Sequence, residues 1–114
     1  MPELTPEQLE FRLLMQVRTR EHLSLLSRRG VTPITLVSPM HQEALRRLLK
    51  QAEEYGTDFN LTSDKDWEVA TKLTYDTLLA GEGSLRMYAD EVYLSHLRRR
   101  VRSTIAGNLE ELDR

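Results

Sequence analysis

The chain contains no cysteine. That excludes disulfide staples, thiolate nucleophiles and zinc–thiolate centres. Aromatic residues make up only 6% of the sequence, so the core must be assembled mainly from Leu, Val, Ile, Ala and Met. No apolar run exceeds a few residues, which argues against a membrane-spanning segment. The N-terminus, Met-Pro-Glu-Leu-Thr-Pro-Glu, has neither a basic n-region nor an apolar h-region, so a cytoplasmic location is expected. The five glycines are isolated stops or part of one Gly-Glu-Gly turn. None forms a loop that could cradle a phosphate.

What is present describes an ordinary globular chain. Its 114 residues are 39% hydrophobic and 30% charged, with a formal net charge of −2. This length suits one domain over residues 1–114 with one modest core. The near-neutral total is unlike that of a protein that coats nucleic acid, where phosphate contacts demand a strong positive excess. The cations are almost all arginine, the residue better suited to planar contacts with carboxylate or phosphate.

Punctuation marks four helices. Thr5, Pro6 and Gln8 form an N-cap, an N1 proline and a capping-box partner, with Leu4 and Leu9 as a hydrophobic staple. The spacing predicts a first helix over about 6–29, ending at Gly30. Ser38-Pro39 opens a second helix over 39–55, ending at Gly56. Ser63 caps a third over 64–80, and Ser84 caps a fourth over 85–106. Val31 to Val37, interrupted by Pro33, reads as an extended connector anchored by Ile34 and Leu36. The expected fold is therefore all-α, a bundle of four main helices with an extended connector between the first two. Trp67, Leu45, Leu48, Leu49, Leu73, Leu78, Val92 and Leu97 are the expected core.

Two helices carry more apolar surface than one face can hide. The apolar residues of the first spread around nearly its whole circumference, whereas a one-faced helix has a narrower stripe. The fourth begins with an apolar stripe at Leu85, Tyr88, Ala89 and Val92. The stripe then rotates to Tyr93, Leu94, Leu97, Val101 and Ile105. Phe11, Met15, Leu25, Leu26, Tyr93 and Leu94 are accordingly the expected partner interface.

Catalytic patterns are lacking. His22, His41 and His96 fall on three different predicted helices with no i,i+4 pair, so neither a metal nor a cofactor is expected. The alternating polar run from Asp58 begins like a calcium loop. It fails at Ser63, where glycine is needed, and at Val69, where a bidentate glutamate is needed. Adjacent carboxylates such as Glu53 and Glu54 point about 100° apart on a helix and do not make a dyad. The third and fourth helices are too long for a DNA-reading helix-turn-helix.

The densest charge is Arg98, Arg99, Arg100 and Arg102. It reads either as a site for an anion or acidic partner, or as cations complementing a helix end and pairing with Glu110, Glu111 and Asp113. These observations lead to an expected non-catalytic helical interaction or assembly module, self-associating or docked in a larger protein complex. By class-level analogy, a viral or phage accessory protein is one such home. The alternative is a small nucleic-acid-associated regulator using the arginine cluster, which the acidic total disfavours.

Overall fold

The computed structural model describes residues 4–112, with side chains through Ser103. Five α-helices are present among them: α1 Pro6–Met15, α2 Arg20–Arg28, α3 Pro39–Tyr55, α4 Asp64–Thr71 and α5 Leu85–Leu112. Single 3-10 turns occupy Pro33–Thr35 and Gly56–Asp58. There is no strand among the described residues, only an isolated antiparallel bridge between Thr19 and Asn60. The chain is all-α, as its patterning predicts. Two of the four predicted helices, however, are divided or shortened.

The expected first helix breaks at Gln16–Thr19. Thr19 caps α2 by accepting from the backbone N–H of His22, at 3.3 Å. His22 Nδ1 in turn accepts from the backbone N–H of Arg18, at 3.0 Å. This is the reciprocal logic of a capping box, with histidine in the place of Glu or Gln. The break exposes backbone groups, and tertiary partners satisfy them. Leu61 N–H donates to Arg18 O at 2.7 Å, and the Trp67 indole donates to Leu14 O at 2.7 Å. Because the break redirects the chain, apolar residues that would ring a single helix reach one core. Leu13, Leu14, Met15, Val17, Leu23 and Leu26 are all buried.

The α1 start carries the predicted capping box, with Thr5 and Gln8 exchanging both hydrogen bonds. The α2 end is a Schellman-type turn. Gly30 adopts φ +82 and Val31 N–H returns to Leu26 O at 2.9 Å. A side chain at Gly30 would also meet the Tyr93 ring of α5, only 2.9 Å from the position of its Cβ.

The α3 start departs from its signature. Ser38 is the N-cap, but its side chain makes no capping bond. The buried Glu10 of α1 supplies it instead. Glu10 accepts from the N–H groups of Val37 and Ser38, and from His41 Nδ1 at 3.0 Å. The preceding connector holds a 3-10 turn rather than a fully extended chain. Leu36 anchors it, whereas Ile34 is 78% exposed.

The predicted third helix stops at Thr71 because Lys72 is left-handed, at φ 60. Thr71 Oγ1 donates to Trp67 O and accepts from Leu73 N–H, which turns the chain away from the helix axis. In the loop that follows, the Asp76 carboxylate accepts from the N–H groups of Leu78 and Leu79. Leu78, an expected core residue, is consequently 96% exposed. Leu49 also lies at the surface and Leu97 is only half-buried, while Trp67, Leu45, Leu48, Leu73 and Val92 are buried as expected. The buried apolar residues form one cluster around Trp67, which packs edge-on against Phe11 and Tyr75.

Two outcomes follow. Glu10→Ala strips the α3 N-terminus of its acceptor and should destabilise the fold by about 3–5 kcal/mol in urea titrations, because it orphans the buried His41 ring and two part-buried backbone donors. Lys72→Gly should raise stability by roughly 0.5–1 kcal/mol in the same assay, because glycine enters the left-handed region without a Cβ penalty.

Candidate functional site

With no catalytic pattern along the chain, chemistry would require histidines and carboxylates to converge in three dimensions. Convergence does occur, at Glu10 and His41. Both side chains are nearly sealed from solvent, and the imidazole stacks on Phe11 at 5.7 Å between ring centroids. The carboxylate is already occupied by two backbone donors and the ring. Neither residue lines any of the three described grooves. This geometry anchors α1 to α3 and offers no room for a substrate. Among the described residues, no three His, Asp or Glu side chains gather where a metal could be held.

His22 and His96 lie apart from that pair. His22 is held below its ordinary pKa, chiefly by burial, with the Arg18 charge adding to the effect and Glu21 opposing it. His96 is lowered by burial and then by Arg99 and Arg100. It sits beside the Tyr93 ring on α5.

The arginine cluster has a different setting from the one expected. α5 continues through Gly107 to Leu112, so Arg98 to Arg102 occupy its middle and do not complement its C-terminal dipole. The pairing expected with Glu110, Glu111 and Asp113 falls on side chains outside the described residues. The four guanidiniums also diverge. Arg99 donates to Thr35 O at 2.9 Å and Ser95 Oγ at 3.0 Å, fastening α5 to the connector. Arg98 and Arg102, both exposed, flank a groove between α1 and α5.

That groove encloses about 730 Å³. Its walls bring Arg12 of α1 together with Arg98, Arg99 and Arg102 of α5, against one carboxylate, Glu91. Leu9, Met87 and Tyr88 contribute apolar surface. Arg12 Nε is buried there with no acceptor among the described residues. On the far side of Arg12, the Gly81 turn is held close by Tyr88. A Cβ at Gly81 would lie 1.9 Å from the Tyr88 hydroxyl.

The expected partner-interface residues fare unequally. Met15 and Leu26 are core, not surface, because the helix break turns them inward. Phe11 and Leu25 are half-buried against the core. Tyr93 packs its ring on Gly30. Leu94 points outward, 43% exposed.

Leu94 belongs to a row that residue-by-residue reading does not isolate. Met87, Glu91, Leu94, Arg98 and Val101 are all exposed, with Met87 at 46% and Val101 at 56%. Their spacing alternates four and three residues, which places them within an arc of about 80°. The buried Tyr88, Ala89 and Val92 occupy the opposite side of the same helix. Ile105 and Leu112 continue the spacing in the sequence, but their side chains lie outside the described residues. The alternating spacing was the available signal. Mixed apolar and charged identities along it conceal it from a simple hydrophobic count.

No protein-family model, curated protein or solved structure matches this chain. Among the described residues, no helix is long and apolar enough to cross a membrane.

The histidine that caps α2 generates a pH dependence. Protonation would turn His22 Nδ1 from acceptor to donor and break its bond to Arg18 N–H. With a folded pKa below the unfolded 6.5, the neutral ring favours the fold. That contribution is complete above about pH 6.5 and is lost as pH falls through the lowered folded value. Thermal melts from pH 8 to pH 5 should therefore show a falling Tm. In His22→Asn, whose side-chain oxygen accepts at every pH, the decline should be shallower.

Proposed function

We propose that this chain is a non-catalytic helical protein–protein interaction or assembly module that docks through the outward face of α5, either self-associating or within a larger complex. The observation that carries this reading is the exposed row Met87, Glu91, Leu94, Arg98 and Val101. It lies opposite the buried stripe of the same helix. A helix with a heptad-spaced apolar and charged row has the pattern by which helices recognise other helices.

Two further observations support it. Large apolar side chains exposed in a line are costly to leave in water and characteristically mark interfaces. The deep acid–base pair, Glu10 with His41, is consumed in structure rather than presented to a ligand.

The arginine groove favours a partner with acidic groups, since four arginines and a single carboxylate line it. It does not favour nucleic acid specifically. The chain's total charge is negative, and Arg99 is already committed to the connector.

Light scattering after size exclusion, from micromolar to millimolar protein, tests the reading. The wild-type mass should exceed that of one chain at the upper end. Leu94→Glu and Val101→Glu, each placing a charge in the row without touching the core, should return the mass to one chain while leaving Tm within a few degrees. Unchanged association in both variants would remove α5 as the docking element.

A further inference from the structure

The charges along the exposed row of α5 are not distributed at random. Glu91 stands toward its N-terminal end and Arg98 seven residues later, on the same face. Arg102 follows beside the row and lines the same groove. The face is thus acidic at one end and basic at the other, with Leu94 between the two charges.

This order discriminates between the two ways in which identical helices can pair. In a parallel, in-register pair, Glu91 meets Glu91 and Arg98 meets Arg98, and both contacts repel. An antiparallel pair brings the acidic end of each copy onto the basic end of the other. If the two-fold axis passes near Ser95 and His96, Glu91 of one copy and Arg98 of the second are offset by only about 3 Å along the helix axis. Symmetry repeats the contact on the other side of the axis. The Leu94 side chains of the two copies are then offset by about 5 Å along the axis, which closes an apolar centre between the two charged contacts. The core-facing side of α5 remains packed on its own chain, since Tyr88, Ala89 and Val92 point away from this row.

We infer that the occupant of the α5 row is a second copy of this chain, its α5 antiparallel to the first and crossing it near Ser95, with Glu91 of each copy paired to Arg98 of the other. This inference rests on the reading of α5 as the docking element and specifies its partner and register. The pairing is isologous, so it closes at two chains. The described part of the row is short, about two heptads, and its ion pairs are solvent-exposed, so association should be weak and should weaken further with salt.

Charge reversal and spin labelling test it. By sedimentation or light scattering at low salt, Glu91→Arg and Arg98→Glu should each weaken dimerisation at least about ten-fold, because each converts two attractive contacts into two repulsive ones. The double variant E91R/R98E should recover to within a few-fold of wild type. A parallel pair would give no such rescue, since like charges still meet in the double variant.

Orientation has its own readout, because a cysteine-free chain accepts single nitroxide labels cleanly. Chains labelled at one position through Arg86→Cys, exposed and off the row, are measured by pulsed electron resonance. The antiparallel register offsets the two labels by about 28 Å along the axis, whereas a parallel pair leaves them level. A dimer that forms with the labels level, or without rescue in the double variant, overturns the register and leaves α5 docking intact. A wild-type chain that remains monomeric at millimolar concentration overturns the second-copy partner altogether. The docking reading is then judged separately, by whether Leu94→Glu abolishes binding to any partner of a different sequence.

Discussion

One carboxylate holds the architecture together. Glu10 leaves α1, crosses the core boundary and accepts the two backbone donors that open α3, along with the ring of His41. A helix N-terminus concentrates unpaired N–H groups and the positive end of the helix dipole, so an anion is favourable there. Burying that anion would be costly if it were alone. Here three donors surround it, and the side chain serves as a cap delivered from another element. The position of α3 relative to α1 follows from this contact. So does the course of the connector, whose Gln42–Leu36 hydrogen bond and Arg99–Thr35 hydrogen bond fasten the same corner.

A second constraint is the interruption between α1 and α2. A continuous rod would have displayed apolar residues on every side. The four-residue break converts that surplus into a core by redirecting the chain, so that α1 and α2 each pack on α3 and α5. Trp67 completes the exchange, because its indole N–H reaches the Leu14 carbonyl, whose only other bonds among the described residues are the tight ones from the backbone N–H groups of Gln16 and Val17 at the break. The aromatic succession His41, Phe11, Trp67 and Tyr75 then runs through the centre, and Arg18 closes it over the Tyr75 ring while pairing with Asp64. Surface that resembles an interface along a one-dimensional helix is, at this site, an internal contact.

α5 is the counterpart. It too carries two apolar faces, but no break redistributes them. Its inner face is spent on α1 and α2, and its outer row remains in solvent. The distinction between these two helices gives the functional reading its specificity. Excess apolar pattern on α1 and α2 is absorbed, whereas excess pattern on α5 is available. The arginines divide in the same way. Arg99 is a fastener, and Arg98 and Arg102 face the groove.

The sequence by itself determined the local chemistry. It specified an all-helical chain and most helix starts through Thr5, Ser63 and Ser84. It also specified the helix stops at Gly30 and Gly56 and the central burial of Trp67, Leu45, Leu48 and Val92. These features depend on neighbours within a turn, where spacing and side-chain type are sufficient. Tertiary structure alone decided the rest. The Ser38 signal was right about where α3 begins but silent about its cap, because Glu10 lies 28 residues upstream. The α1–α2 break draws on Leu61 and Trp67, and the end of α4 on Gln51, whose side-chain amide donates to Ala70 O at 3.1 Å. The outer row of α5 was partly legible, since Leu94 and Val101 mark it. Which of the helix's two faces stays exposed depended on where α1 packs, and long-range packing is not encoded in the period of any single helix.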